Sequence, residues 1–594
     1  MAAQHREISV SEFFAKNRHL LGFDSPRKAL LTTVKEAVDN SLDACEEAGI
    51  LPDITVKIEV APGPDGTRPA PSQADRFIVM VRDNGPGIPA SKIGNVFAKL
   101  LYGSKFHRLK MSRGQQGIGI SAAAMYGQIT TGRPCRVISK VADEPRAHLF
   151  ELSIDTAKNQ PVVHEKQQID WDQPHGTEVV IELVGRYMRG RQSVDEYLEY
   201  TAIANPHARI VYVTPTGETR EFPRGVEELP APPREIKPHP LGIELGMFLK
   251  MARDTSTRTV SSFLTNDFCR VSSRLAAQIC EKAGVNPNAR IRKLKNEQLE
   301  SLYRAIQSTK FMAPPTDCLS PIGEEALKAG LVKTVPADFY VATTRPPAVY
   351  RGNPFQIEVA IAYGTGDGKS SLQRVAEELE SGGNGEAKAE GEHKDDGPTE
   401  LARVIRLANR VPLVYQQSAC ATFKAVLHTN WRNYGIAQSK GALPQGPMTI
   451  LIHMASVWVP FTNEAKEAIA EYDEIVREVR RALQECGRKL AVWIRKRQQA
   501  KNELQRRFTF ARYIEEVAAA CCRLKDGRIN QERLKRQLLQ IAERITGGEE
   551  TDRILNRATK TGVDEDLAGA VVRTDDGELA GDLPELARQV AAKA

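Results

Sequence analysis

Apolar residues recur at helical spacing over residues 26–49, where Leu30, Val34, Ala37, Val38 and Leu42 fall on one side and Gly49 follows as a stop. The spacing predicts an amphipathic helix. The period then changes. "DITVKIEV" and "RFIVMVRDNG" alternate at every second residue, as half-buried strands do, with a Pro/Gly-rich connection over 61–72 between them. Two more strand-like runs follow at "PCRVISKV" and "GTEVVIELVG". Helix, two strands, a glycine loop and two further strands describe an α+β sandwich over roughly the first 220 residues.

A proline-dense stretch, "ELPAPPREIKPHPLG" at 228–242, marks a boundary. Residues 243–310 then read as helices rich in basic residues, and "FMAPPTDCLSPIG" at 311–323 punctuates the chain again. Strands resume at "DFYVATTRPPAVYRG", "PFQIEVAIAYG" and "PMTILIHMASVWVPF". Between them, 365–398 is Gly-, Glu- and Lys-rich and almost without aromatics, which predicts a mobile insert. From about Asn463 to Leu524 the pattern is long helix, broken at most around Gly487. The last fifty or so residues are polar and acidic and read as a poorly ordered tail.

Composition narrows the class. At 594 residues the chain is too long for one ordinary core, and three or four domains are expected. Hydrophobic residues make up 41% and charged residues 26%, the balance of a soluble globular protein. A net charge of +7 permits a nucleic-acid partner without demanding one, so clustering has to decide. Nine cysteines without a CxxC pair read as reduced thiols rather than a zinc framework. The polar start "MAAQHREISVSEFF" and the lack of a long apolar run point to a cytoplasmic protein with no membrane partner.

Four motifs of the first segment converge on one chemistry. In "EAVDNSLDA", Glu36 and Asn40 are four apart and share a helix face. The carboxylate suits a general base for water, and the amide oxygen suits a Mg²⁺ ion that bridges a triphosphate. Taken alone, the spacing equally describes an ordinary polar face. In "VRDNGPGI", Asp83 ends an apolar strand and Gly85 and Gly87 follow; a buried carboxylate there can accept an adenine amine, whereas a plain Asn-Gly turn explains the glycines as well. In "RGQQGIGISAAAMYG", Gly114, Gly117 and Gly119 lead into a helix of small residues whose free N–H groups can meet phosphate. Neither the dinucleotide fingerprint nor a GxxxxGK[ST] loop fits. In "PHGTEVVIEL", Thr177 opens a strand, and its hydroxyl is expected on Asp83 or a bridging water.

In order and spacing the four motifs resemble the ATPase fold shared by gyrase, the heat-shock chaperones, histidine kinases and the MutL repair proteins, the GHKL or Bergerat fold. The resemblance implies that Glu36 is the general base, Asn40 the Mg²⁺ ligand and Asp83 the adenine reader. It also implies that Gly114, Gln115, Gln116, Gly117, Ile118, Gly119, Ile120 and Ser121 wrap the phosphates of ATP. Ser104 and Lys105 of "LYGSKF" match nucleotide-contacting positions of the lid.

Downstream, "RGQQGIGISAA", "APPTDCLSPIG", "ANRVPLVY" and "HMASVWVPFTNEAKEAI", with "EFFAKNRHLLGFDSPRKALLTTVKEAVDNSLDA" upstream, resemble the B subunits of DNA topoisomerase VI over about residues 5–500. The implied organisation is α+β multidomain. A GHKL ATPase domain with an N-terminal strap occupies 1–228, a helix–two-turn–helix domain 229–312, and an α/β transducer 313–475. Stalk helices at 476–525 reach the partner, and 526–594 form a partly disordered extension. The resemblance also implies a transducer lysine on the γ-phosphate. Lys466, read as following a strand and opening a helix, is the choice, with Lys424 of "ACATFKAV" as competitor.

Basic clusters supply candidate DNA contacts: Arg189 and Arg191 in "GRYMRGRQS", Arg292 and Lys293 in "NARIRKLKN", and Trp431, Arg432 and Tyr434 in "WRNY". Such patches can bind phosphates of double-stranded DNA without reading sequence, and the bland reading of each is a solvated face. Where the family carries lysine, this chain has Arg432. The DxD at Asp564–Asp566 lies in the tail, and none of the fourteen tyrosines sits in a winged-helix pattern. DNA cleavage is therefore expected from a partner, the A subunit, in a heterotetramer of two A and two B subunits that dimerises through the ATPase domains. A MutL-like repair ATPase is the rival; it shares the first domain and transducer but lacks the helical insertion at 243–310.

Overall fold

The computed structural model describes residues 8–63, 65–103, 108–114, 117–365, 400–463, 465–524, 530–545, 567–573, 579–581 and 583. Ser104, Lys105, Gln115, Gln116 and the insert from 366 onward lie outside these residues.

The first unit contains α1 (Val10–Lys16), α2 (Pro26–Glu47), β1 (Asp53–Val60), β2 (Arg76–Asp83), α3 (Ala90–Ala98), α4 (Gly119–Thr131), β3 (Cys135–Lys140), β4 (Ala147–Asp155), β5 (Gln160–Ile169), β6 (Gly176–Val184), α5 (Val194–Ala204), β7 (Arg209–Val213) and β8 (Thr219–Phe222). Its eight strands are ordered β5-β4-β3-β6-β2-β1-β7-β8, antiparallel except for the parallel β1–β7 pair. Ile54, Val56 and Ile58 of β1 alternate inward with Phe77, Val79 and Val81 of β2, as the period-two pattern requires. They meet the apolar stripe of α2, in which Leu30, Val34, Val38 and Leu42 are at most 1% exposed.

Helices α6 (Leu245–Asp254), α7 (Val260–Asn266), α8 (Ser273–Ala283) and α9 (Asn296–Gln307) follow, around a separate core that holds Phe248, Phe263 and Phe268.

The third unit contains α10 (Glu324–Thr334), β9 (Phe339–Thr344), β10 (Ala348–Tyr350), β11 (Asn353–Tyr363), β12 (Arg403–Ala408), β13 (Val411–Pro412), α11 (Ala421–Leu427), β14 (Met448–Ser456) and α12 (Asp473–Leu524), and then α13 (Gln531–Ile545), β15 (Ala570–Arg573) and β16 (Leu579–Gly581). Its sheet runs β13-β12-β14-β11-β9-β15-β16, with β10 on β11. One face packs on α11 and the first turns of α12, through Ile475, Val479, Leu483, Cys486 and Leu490. The other packs on α10 and on Tyr200, Ile203 and Ala204 of α5, so the first and third units share a core. Burial on both faces explains why β11 and β14 read as nearly continuous apolar runs.

Two expectations change. The long helix begins at Asp473, not near Asn463, and runs unbroken through Gly487. The tail is not uniformly loose, because β15 pairs antiparallel with β9 and buries Ala570 and Val571 completely. Among the described residues no helix is long and apolar enough to cross a membrane.

Candidate nucleotide site between two units

Pro26 occupies the first turn of α2, and the Ser25 hydroxyl accepts the Lys28 N–H at 3.4 Å, so the helix starts with its orphan amides partly satisfied. The apolar stripe faces the sheet. That orientation leaves Glu36 and Asn40, one turn apart, on the wall of a cavity of about 600 Å³, a size suited to a nucleotide. Asp83, Gly87, Gly114, Gly117, Ile118, Gly119, Ile120, Thr177 and Lys466 line the same cavity. Distant motifs of the sequence thus meet in one place.

Asp83 ends β2 and is 6% exposed. Its Oδ2 accepts the Ser41 hydroxyl at 2.7 Å, and its Oδ1 accepts the backbone N–H of Gly85 at 2.9 Å and of Thr177 at 3.2 Å. Burial pushes the carboxyl above its ordinary value, while these hydrogen bonds pull the other way. The oxygens keep acceptor capacity for a ligand amine. Two residue roles differ from expectation. Gly85 is buried beneath Asp83, and it holds the carboxylate instead of lining the cavity. Thr177 serves Asp83 through its backbone; its hydroxyl lies 3.1 Å from the Ser139 hydroxyl. Sequence reasoning missed Ser41, although it adjoins Asn40.

Helix α4 starts at Gly119, and no side chain caps its first turn. Its amides therefore face the cavity mouth as donors for an anion. A Cβ at Gly119 would lie 1.7 Å from Glu36 Oε2, so the loop and the carboxylate fit only because that atom is missing. Gly87, at φ +75°, passes close enough to the Lys140 carbonyl that a Cβ would sit 2.0 Å from it. Ser121, by contrast, is 1% exposed and bonds back to the Ile118 carbonyl at 2.9 Å; it belongs to the helix interior, not to the cavity wall.

The glycine loop that starts at Gly114 is anchored from below by Arg113, whose guanidinium meets Asp43 at 2.9 Å, Glu46 at 2.6 Å and Asn205 at 2.5 Å. Against the upward push of burial, Arg113 and His207 hold the Glu46 carboxyl well below the usual carboxylate range. Nothing in the local pattern flags this buried arginine except its place before Gly114.

The third unit closes the cavity with Pro412, Val414, Tyr415 and residues 465–467. Lys466 Nζ donates to the Arg113 carbonyl at 3.0 Å. Burial lowers its pKa, and the nearby Glu36 charge opposes that fall. Lys466 does not open a helix. It sits at φ +55° in the loop that leads to α12, which starts only at Asp473. Lys424 pairs with Glu471 at 2.7 Å outside the cavity, which separates it from the other candidates.

The DNA-contact candidates divide. Arg189 is exposed and pairs with Glu218 at 2.7 Å, and the Arg191 carbonyl accepts a hydrogen bond from Arg27. Arg292 and Lys293 are both exposed, and Arg292 donates to the Thr255 carbonyl at the end of α6. Trp431 is 0% exposed and donates to the Val426 carbonyl at 3.0 Å, so its ring is a core group and not a stacking platform. Tyr434 packs against Gly487 of α12, where a Cβ would lie 2.9 Å from the ring. Only Arg432 of that tetrapeptide is exposed among the three candidates, with its Nε on the Gln438 carbonyl at 2.9 Å.

Residues 26–183 match the family described as histidine kinase-, DNA gyrase B- and HSP90-like ATPase, and residues 314–506 match the topoisomerase VI B subunit transducer. The chain is 46% identical over 498 residues to the B subunit of type 2 DNA topoisomerase 6 from Archaeoglobus fulgidus, covering 84% of this chain and 76% of that one. It is 46% identical over 519 residues to the protein of the same name from Methanococcoides burtonii, covering 87% and 77%. Against that of Pyrococcus horikoshii it is 36% identical over 562 residues, covering 86% and 90%. These matches do not favour the MutL-like alternative.

Proposed function

Because the chain belongs to the family of type 2 DNA topoisomerase 6 B subunits, we propose that its interdomain cavity binds ATP and that hydrolysis there drives a DNA gate. The observation that carries this reading is the convergence of Glu36 from the first unit and Lys466 from the third on one cavity. Hydrolysis can then be felt by both units at once.

In this reading adenine donates its amine to Asp83, and the phosphates lie along Gly114–Gly119 and the first turn of α4. Glu36 acts as general base on the attacking water, and Lys466 stabilises charge on the γ-phosphate. Asn40 offers an exposed hard oxygen on the cavity wall, which fits Mg²⁺ held mainly by phosphates and water. When bound, that ion neutralises phosphate charge. Ser104, Lys105, Gln115 and Gln116, which the family resemblance assigns to the nucleotide, lie outside the described residues.

Two copies close as an ATP-dependent dimer through the first unit, with the N-terminal segment exchanged between them. An A subunit supplies the cleaving tyrosine, and double-stranded DNA is held without sequence preference by basic groups such as Arg189, Lys293 and Arg432. The test mixes the full chain with a DNA-cleaving A subunit and follows relaxation and decatenation with ATP and Mg²⁺. Relaxation that proceeds equally well without ATP would sink the reading.

A further inference from the structure

Lys466 is one residue from a buried ion pair that joins the two units. Glu467 is buried, and its Oε1 accepts from Lys28 Nζ of α2 at 2.9 Å. The side-chain amides of Asn463, at 2.9 Å, and Gln416 donate to the other oxygen. The Lys28 ammonium also lies 4.9 Å from the centre of the Tyr415 ring. Seven residues along α2, on the same face, Lys35 Nζ reaches the Ala465 carbonyl at 3.5 Å. Helix α2 thus grips the loop on both sides of Lys466. The lysine itself stands at φ +55° and Gln416 at φ +49°, conformations that side-chain-bearing residues keep only when their surroundings hold them.

We propose that Lys28 and Glu467 form an interdomain latch that positions Lys466 over the γ-phosphate. The geometry explains why α2 is the anchor. Lys28 and Glu36 are eight residues apart on one rigid helix, about 12 Å along its axis. Pinning Glu467 to Lys28 therefore sets the lysine at a fixed place relative to the general base. Neighbouring side chains diverge, with Lys466 turning to the Arg113 carbonyl inside the cavity and Glu467 turning out to Lys28. Lys28 and Glu467 are positioning residues and touch no reacting atom.

The inference rests on the assignment of Lys466 to the γ-phosphate, so its test needs a readout independent of that role. The amides of Thr462, Glu467 and Ala470 are hydrogen-bonded within the loop, which makes their hydrogen exchange such a readout. In the full chain, Lys28→Met is expected to speed exchange at these amides and lower kcat for ATP by about tenfold or more, with ATP affinity changed by less than about threefold. Lys28→Arg, which keeps the charge, should restore most of kcat. Asp24→Asn removes only the other partner of Lys28, 3.0 Å away, and should leave kcat and exchange unchanged. Unchanged loop exchange in Lys28→Met overturns the latch whatever kcat does. Faster exchange with unchanged kcat overturns the positioning role. Full turnover in Lys466→Ala, with the latch still visible by exchange, overturns the assignment of Lys466 instead.

Discussion

The Glu36 carboxylate lies against Gly119, just where a side chain on that residue would strike it. Gly119→Ala should therefore fold with nearly unchanged melting temperature yet push the base off its line, lowering kcat by about tenfold or more. Normal turnover in that variant would show that the carboxylate is not held by the loop. Glu36→Ala should keep nucleotide binding, since the Asp83 and phosphate-loop contacts remain, and lose about 100-fold or more in turnover. Equal turnover to the unmodified chain would remove Glu36 as base. Lys466→Ala should bind ATP but slow hydrolysis by a comparable factor, measured with DNA present. These residues were legible because each motif combines a polar residue type with a fixed helical or strand position. Ser41 and Thr177 were less so, since which atom of each serves Asp83 depends on how α2 and β6 meet the end of β2.

Among the elements, α10 carries a buried lysine. Lys333 is 9% exposed; its Nζ donates to the Pro223 carbonyl at 3.0 Å, and burial lowers its pKa to about 7. The folded state prefers the neutral amine, while the unfolded chain stays protonated up to about 10.5. The penalty is thus complete below pH 7 and fades as pH rises from about 7 to 10.5. Lys333→Met should raise stability by on the order of 2 kcal/mol at pH 7, with a gain that shrinks towards pH 10. Thermal melts across that range check it, and a gain that grows with pH would reverse the reading. Strands β1 and β2 were legible from alternation, because one face is buried and the other wetter. The loop around Lys466 was not. "NEAKEAIA" has helical composition, but contacts with α2, Gln416 and Arg113 and the Phe461–Ile469 bridge hold it out of a helix. Strands β15 and β16 were illegible for a related reason: they are four and three residues long and depend on pairing with β9.

For the whole molecule, that pairing joins the far end of the chain to the sheet that closes the nucleotide cavity. Val571 is 0% exposed between β9 and α10. Val571→Asp should lower stability by about 3 kcal/mol, as a charge enters an apolar contact, and a melting temperature equal to that of the unmodified chain would show that the hairpin does not brace the sheet. Besides the apolar core they share, the first and third units are joined by polar groups that no local pattern announces: Asn409 donates to the Ser112 carbonyl at 3.0 Å, and Arg410 lies 4.0 Å from Glu46. Finally, the 52-residue helix α12 is about 78 Å of continuous rod, set into the sheet as far as Arg497, which pairs with Asp338 at 3.2 Å. About 40 Å of it projects beyond that fulcrum, braced by the Lys535–Glu515 pair from α13. A tilt of about 10° at the base would swing the far end by roughly 7 Å. On the proposed reading the helix would serve as a lever, turning a small adjustment at the cavity into a displacement of several ångströms at its far end.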